Sequence, residues 1–96
     1  MLELYQFEEC PYCKMVRAKL TDLGISYLMH NVPRDKNNRA KVIEVSGQPS
    51  VPVLVDKSTA PATVLSDENE IIEYLEKKYA GKSGGGKFTG PTRAWI

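Results

Sequence analysis

The order of apolar and polar residues predicts a strand, a helix and a second strand in the first third of the chain. Residues 2–7 alternate between the two classes and include two aromatic side chains, as a half-buried strand does. Residues 12–23 carry an apolar side chain every three or four positions, and Gly24 follows as a stop signal for that helix. Residues 25–32 return to β-favouring side chains before a proline ends them.

The following residues, as far as residue 79, predict a helix, two strands and a last helix. Residues 35–45 mix apolar and charged positions and begin with an aspartate that can cap a helix. Residues 51–55 and 63–65 are short β-rich runs, separated by the turn-rich residues 56–62. Residues 66–79 begin with a serine and an aspartate, and their apolar positions form one helical stripe.

These elements predict an α/β fold with the order βαβαββα. The strand–helix–strand start implies a parallel pair with a right-handed crossover, and the two closely spaced later strands imply a hairpin. We therefore expect a four-stranded mixed sheet flanked by helices.

Composition limits the chain to one domain with a tail. A chain of 96 residues, of which 42% are hydrophobic, can bury one core and not two. Five of the seven glycines lie in residues 81–90, where the apolar periodicity stops. We expect residues 1–80 to form the domain and residues 81–96 to form a mobile, glycine-rich tail.

Charge and hydropathy exclude several classes of partner. A net charge of +1 gives no basic surface for nucleic acid. The apolar runs are too short to span a membrane, and the first residues lack the basic segment of an export signal. We expect a cytoplasmic monomer that binds neither nucleic acid nor membranes.

The strongest chemical signal is the pair Cys10 and Cys13, at the junction of the first strand and the first helix. A helix that begins at Cys10 directs its unpaired N–H groups and its positive dipole end at that sulfur, which favours the thiolate. Cys10 is then the nucleophile, and Cys13, one turn further on, is the thiol that resolves a mixed disulfide. Pro11 suits the first helical turn, because its missing N–H would have no partner there.

A zinc site and a static disulfide are the alternatives for this pair. Zinc usually takes four ligands, and the only histidine, His30, lies in a different segment. A disulfide that closes so short a loop constrains the unfolded chain little, and nothing else indicates secretion. A redox-active dithiol is the favoured interpretation.

Three segments together resemble the glutaredoxin family, and the resemblance covers residues 1–79. The segments are Cys10-Pro11-Tyr12-Cys13, Ser50-Val51-Pro52 and Ser66-Asp67. In that family Cys-Pro-Tyr-Cys is the dithiol active-site motif of a thioredoxin-like fold, and a valine followed by a cis-proline lies beside it. Residues 65–68 and the helix after them also resemble the end of a glutathione transferase N-terminal domain.

The resemblance implies glutathione as the reducing co-substrate. Val51, ahead of a cis-Pro52, would pair its backbone with the cysteinyl part of the tripeptide, as an added strand does. Ser66 would offer its backbone N–H to the γ-glutamyl carboxylate at a helix N-terminus, and Asp67 would do the same and accept the ammonium group.

The remaining residues implied by the resemblance surround the cysteine pair. Tyr12 would pack beside the reactive sulfur and lend its hydroxyl group, and Gln48 would reach the glycine carboxylate. Pro11, Tyr12 and Pro52 would support the geometry of the active site, and Pro52 would also contribute to the glutathione site. Glutathione is the only small-molecule partner expected, and no metal is expected.

One departure from the family pattern concerns charge near the nucleophile. Many glutaredoxins carry a lysine where this chain has Phe7, and here Glu8 and Glu9 follow it. Two acids so close oppose the formation of a thiolate by like-charge repulsion. Lys14 and Arg17 are the nearby cations that can compensate.

The leading functional hypothesis is a glutathione-dependent thiol-disulfide oxidoreductase that reduces disulfide-containing and glutathionylated proteins. One alternative is a carrier of an iron–sulfur cluster held between two chains with glutathione, although the proline at position 11 makes this less expected. The other is a thioredoxin-like reductase that takes its electrons from a donor other than glutathione.

Overall fold

The alternating residues at the start of the chain form an inner strand of a four-stranded sheet. The computed structural model describes residues 1–79, with the strands β1 (Leu2–Gln6), β2 (Tyr27–Asn31), β3 (Val53–Asp56) and β4 (Thr63–Leu65). The strands lie in the order β2-β1-β3-β4. β1 runs parallel to β2 and antiparallel to β3, and β3 and β4 form an antiparallel hairpin.

Three helices flank this sheet, namely α1 (Pro11–Asp22), α2 (Ala40–Ser46) and α3 (Glu68–Tyr79). Gly47 caps the C-terminus of α2. Its φ of 82° lies in the left-handed region that favours glycine, and its N–H donates to the carbonyl of Ile43. The order βαβαββα and the mixed sheet confirm the fold predicted from the sequence. The predicted tail, residues 81–96, lies outside the described residues.

The strands bury side chains on both faces of the sheet, because neighbouring residues on a strand point in opposite directions. On one face, Leu4 and Leu54 pack against Leu20 of α1 and Leu75 of α3. On the other face, Tyr5, Val53 and Val55 of the sheet form a smaller cluster with Val42 of α2. Each fully buried leucine stabilises the fold by about 1.5–3 kcal/mol.

The predicted second helix begins five residues later than expected. Asp35 does act as a cap, because its side chain accepts a hydrogen bond from the backbone N–H of Asn37 at 2.9 Å. It caps only a single 3₁₀ turn, Lys36–Asn38, and α2 starts after Arg39, whose backbone angles are not helical. The prediction of one helix over residues 35–45 was therefore wrong in its first turn and correct in the rest.

Both ends of the third strand also differ from the prediction. The strand begins at Val53 instead of Val51, so Val51 and Pro52 form a connection ahead of the sheet. Pro52 has no N–H to donate to a neighbouring strand, which is consistent with the later start. At the other end Asp56, which the sequence placed in a turn, pairs with Leu2 as the last residue of the strand.

Asp56 is a fully buried carboxylate at the end of the sheet that lies away from the cysteines. Its Oδ2 atom accepts hydrogen bonds from the hydroxyl of Tyr74 at 2.6 Å, the ammonium of Lys78 at 3.0 Å and the hydroxyl of Tyr79 at 3.0 Å. Its Oδ1 atom accepts from the backbone N–H of Ser58 at 2.9 Å and from its hydroxyl at 2.6 Å. The carboxylate thus joins the last turns of α3 to the β3–β4 hairpin.

The surroundings of Asp56 also determine its protonation. Burial by itself raises the pKa of the carboxyl group, but the hydrogen bonds from Ser58, Tyr74 and Lys78 act in the opposite direction and prevail. The pKa of Asp56 is therefore held well below its usual value. Folding is favoured by this group while it is charged.

We predict that loss of this carboxylate destabilises the protein and removes part of its acid sensitivity. Asp56→Ala should lower the free energy of unfolding by about 3 kcal/mol or more, because the donors around it lose a buried charged partner. The contribution of Asp56 is present above the unfolded-state pKa of about 3.9 and is lost as the pH falls toward the lower folded-state value. Denaturant unfolding measured from neutral to acid pH tests both statements.

The matched variants are Asp56→Asn and Asp22→Asn, the second at the exposed last residue of α1. Asp56→Asn should flatten the fall in stability below about pH 5, whereas Asp22→Asn should leave the wild-type profile almost unchanged. An Asp56→Asn profile parallel to that of the wild type would show that this carboxylate does not carry the acid sensitivity.

Candidate active site

The first strand delivers Cys10 to the N-terminus of α1. Cys10 is the cap residue of that helix, and its Sγ atom accepts a hydrogen bond from the backbone N–H of Cys13 at 3.2 Å. Pro11 is the first residue of the helix, as the sequence predicted, so no N–H is left unpaired at that position. A backbone donor and the positive end of the helix dipole therefore both face the sulfur of Cys10.

The second cysteine is less accessible than the first. Cys13 is completely buried, while Cys10 retains 4% of its surface, and both thiols are free. Burial, followed by the hydrogen bond with Cys10, raises the pKa of Cys13 to about 12. Cys13 thus keeps its proton at neutral pH, and Cys10 is the thiol that a substrate can reach.

Cys10 lies in the wall of a cavity of about 640 Å³. The same cavity is lined by all but one of the residues that the sequence assigned to glutathione, namely Tyr12, Gln48, Val51, Ser66 and Asp67. The exception is Pro52, which is buried and does not line the cavity. Segments from the start of α1, the connection before β3 and the start of α3 therefore meet at one place.

The connection before β3 presents backbone groups to this cavity. The Val51–Pro52 peptide bond is cis, which confirms the prediction for this proline. Val51 is half-buried and, within residues 1–79, no hydrogen bond occupies its N–H or its carbonyl. An extended peptide can pair with these two groups as an additional strand does.

The start of α3 forms a second polar end of the cavity. α3 begins at Glu68, two residues after the predicted start, and Asp67 precedes it as the cap. The Oδ2 atom of Asp67 accepts from the N–H groups of Asn69 at 3.0 Å and Glu70 at 3.1 Å. Its Oδ1 atom has no hydrogen-bond partner in the part of the chain that the structure describes.

Two of the predicted binding residues are held less firmly. Tyr12 is 54% exposed at the rim of the cavity. The side-chain carbonyl of Gln48 accepts from the hydroxyl of Ser50 at 2.7 Å, and its amide lies 3.4 Å from the carbonyl of Ser50. Gln48 must therefore give up or share these contacts in order to bind a ligand.

The charges next to Cys10 are paired in a way that the sequence did not indicate. Arg17 donates to the side chain of Gln6 and to the carbonyl of Glu8, so its guanidinium binds the loop before Cys10. Glu9 accepts two hydrogen bonds from Arg34, which lies in the connection after β2. The negative charge of Glu9 is thus balanced by Arg34, which lines the cavity.

The sequence interpretation missed the cationic side of the cavity, formed by Arg34, Lys36 and Arg39. Arg39 is 3% exposed, in contrast to the other two, which are exposed. Lys36 and Arg39 fell within the helix predicted over residues 35–45, where charged side chains are usually solvated. The pattern therefore did not indicate that these residues line a cavity.

No helix within residues 1–79 is long and apolar enough to cross a membrane. Likewise, residues 1–79 contain no group of three or more histidine, cysteine, aspartate or glutamate side chains arranged to hold a metal ion.

Comparison with known proteins gives a family match over most of the chain. Residues 4–83 match the family described as glutathione S-transferase, N-terminal domain. Glutaredoxin 3 of Escherichia coli (strain K12) is 38% identical over 53 residues, which are 53% of this chain and 61% of that protein. This chain therefore spans about three fifths of the curated relatives that it matches.

Solved structures agree with this match. A diazinon-metabolizing glutathione S-transferase from the silkworm Bombyx mori aligns with a TM-score of 0.73 and 26% identity, over 85% of this chain and 39% of the other. Glutathione transferase E6 from Drosophila melanogaster aligns with a TM-score of 0.70 and 29% identity, over 82% of this chain and 35% of the other. The described residues thus have the thioredoxin-like α/β fold, and they correspond to under half of each transferase.

We predict that the two thiols differ strongly in reactivity. In the Cys10→Ser variant, the thiol of Cys13 should resist alkylation by iodoacetamide at a pH of about 8, because only the thiolate reacts and burial suppresses it. In Cys13→Ser, the thiol of Cys10 should be alkylated readily. Mass spectrometry of samples taken over time measures both rates.

Unfolding in denaturant provides the control for these rates, since it removes burial and should make the two variants react alike. Fast alkylation of Cys13 in the folded Cys10→Ser variant would contradict the assignment of the buried, protonated thiol.

Proposed function

We propose that this chain, which belongs to the glutathione S-transferase N-terminal domain family, is a glutathione-dependent thiol-disulfide oxidoreductase. One observation carries the proposal, which is that Cys10 opens into the cavity lined by Val51 and by Ser66 and Asp67. A thiol at a helix N-terminus and a separate set of polar groups that can bind a peptide lie at one cavity.

The polarity of the cavity supports glutathione as its ligand. Asp67 at the start of α3 can accept the ammonium of the γ-glutamyl residue, and backbone N–H groups there can donate to its carboxylate. Val51 can pair with the cysteinyl residue and bring its sulfur toward Cys10. Lys36, which is exposed and lines the cavity beside Arg34 and Arg39, supplies positive charge for the glycine carboxylate.

The proposed reaction on a glutathionylated protein takes two exchanges. The thiolate of Cys10 attacks the glutathione sulfur of the mixed disulfide, the disulfide bond breaks and the protein leaves as a thiolate. A second glutathione thiolate then attacks the sulfur of the glutathione bound to Cys10. This releases oxidised glutathione and restores the Cys10 thiolate. Cys13 is not required in either step.

The proposed reaction on a protein disulfide uses both cysteines. Cys10 attacks one sulfur of the substrate and forms a mixed disulfide with it. Cys13 then loses its proton and attacks the sulfur of Cys10, which releases the reduced substrate and leaves a Cys10–Cys13 disulfide. Two glutathione molecules reduce this disulfide and leave as oxidised glutathione.

The family match favours a second candidate, the transfer of glutathione to an electrophilic carbon. In that reaction the glutathione thiolate displaces a leaving group, and no disulfide forms. Assays with an aryl halide and with a glutathione mixed disulfide, run side by side on the same preparation, separate the two candidates. Conjugation without disulfide exchange would replace the oxidoreductase proposal.

We predict that the two cysteine variants differ in which substrates they retain. Cys10→Ser should reduce both activities to the uncatalysed rate. Cys13→Ser should retain reduction of a glutathione mixed disulfide within about tenfold of the wild type and lose reduction of a protein disulfide. Coupled assays of oxidised glutathione formation measure both.

Turnover of the mixed disulfide by Cys10→Ser would show that the nucleophile is misassigned. Visible absorbance after anaerobic purification would instead favour the alternative of an iron–sulfur cluster carrier.

We also predict that the glycine carboxylate of glutathione contributes to binding. Glutathione esterified at glycine should bind roughly tenfold or more weakly than glutathione, because it loses a charge-assisted contact with the cationic side of the cavity. Titration followed by amide shifts near Val51 and Ser66 measures both dissociation constants. Absence of any shift with glutathione would remove it from the mechanism and favour a reductase with another electron donor.

A further inference from the structure

Arg39 is a buried cation whose contacts are almost all with backbone carbonyls. It is 3% exposed. Its Nε atom donates to the carbonyl of Pro33 at 2.7 Å, its Nη1 atom to that of Pro49 at 3.1 Å and its Nη2 atom to that of Arg34 at 2.9 Å. Each nitrogen of the guanidinium therefore binds a different residue.

These three carbonyls belong to two connections that line the cavity. Pro33 and Arg34 follow β2, whereas Pro49 precedes β3 and lies two residues before Val51. Apart from the hydrogen bond of Arg39 to Pro49, no hydrogen bond within residues 1–79 joins the two connections. Arg39 thus bridges them from its position just before α2.

A fourth contact extends the bridge to the segment that leads to Cys10. The guanidinium carbon of Arg39 lies 5.3 Å from the centroid of the Phe7 ring, at a distance typical of a cation–π contact. Phe7 also lines the cavity, and the backbone N–H of Cys10 donates to the carbonyl of Phe7 at 3.2 Å. One side chain therefore contacts three of the segments around the reactive thiol.

We propose that Arg39 is a positioning residue that holds the connections after β2 and before β3, together with Phe7, as one wall of the cavity. This inference rests on the proposed function, since it concerns how the glutathione site is kept in shape. A displacement of about 1 Å at a binding group is enough to lower kcat/KM by as much as a hundredfold. The position of Val51 relative to Cys10 is the quantity that Arg39 controls.

The planar guanidinium is the feature that this role requires. It presents donors in fixed directions, and three of its nitrogens reach three separated carbonyls at once. A lysine ammonium has the same charge but is a single point, so it cannot bridge the same carbonyls from this position. Arg39→Lys therefore separates the effect of geometry from the effect of charge.

The experiment compares Arg39→Lys, Arg39→Met and Lys41→Met with the wild type in the mixed-disulfide assay. Both Arg39 variants should raise KM for glutathione about tenfold or more and change kcat much less, because the binding wall is displaced while Cys10 is unaltered. Lys41→Met removes an exposed positive charge from α2, two residues away, and should leave both constants as in the wild type. A variant that only lost stability would unfold at a lower temperature without this division between KM and kcat.

The outcomes distinguish this inference from the function on which it rests. A wild-type KM in Arg39→Lys would show that charge alone matters and would overturn the inference while leaving the proposed function in place. A wild type that neither binds nor turns over glutathione would overturn both. Phe7→Leu, which keeps the three carbonyl contacts, should raise KM less than either Arg39 variant.

If the Arg39 variants do not fold, an NMR measurement on the wild-type protein tests the inference. The Nε–H of Arg39 is buried and hydrogen-bonded, so its proton resonance should exchange slowly with water and be observable. Saturation with glutathione should shift this resonance together with the amide of Val51. A shift of Val51 without any shift or protection of the Arg39 Nε–H would overturn the inference.

Discussion

The antiparallel pairing of β1 with β3 is the constraint on which the candidate site depends. Tyr5 pairs with Val53, so the last residues of β1 and the first residues of β3 lie at the same end of the sheet. The residues just beyond these two ends are those that matter for the chemistry, Cys10 on one side and Val51 on the other. A shift of register would separate the thiol from the backbone groups that can bind its substrate.

The two ends of the sheet are stabilised by opposite kinds of interaction. At the end far from the cysteines, Asp56 gathers donors from the hairpin and from α3 around one buried carboxylate. At the end near the cysteines, Arg39 gathers carbonyls around one buried cation. In both cases a single charged side chain joins segments that are distant in the sequence. Local pairing in strands and helices does not supply these connections.

Local patterns were sufficient to predict the order of the elements and the place of the cysteine pair. Apolar periodicity defines α1 and α3 within a few residues, and the position of Pro11 at the first turn follows from its missing N–H. Asp35 illustrates the limit of such reasoning, because it caps a helical turn as predicted but not the helix that was expected to follow. Capping preferences identify the beginning of a turn and do not determine how far it continues.

Long-range contacts explain what could not be predicted. Asp56 precedes Lys, Ser and Thr, so its neighbours indicate an exposed turn, and the tyrosine and lysine that bury it lie about twenty residues later. Arg39 has the same ambiguity, since a basic residue in a predicted surface helix is usually solvated. The roles of both depend on donors or acceptors that only the folded chain brings within reach.

The contacts of Arg39 also bear on how this protein can tolerate change. Its three hydrogen bonds are made to main-chain oxygens, which every amino acid possesses, so the side chains at positions 33, 34 and 49 can be replaced without removing an acceptor. The reverse does not hold, because no other side chain offers the same fork of donors. We therefore expect amino-acid substitutions to be tolerated in the loops around the cavity as long as the arginine at position 39 is kept.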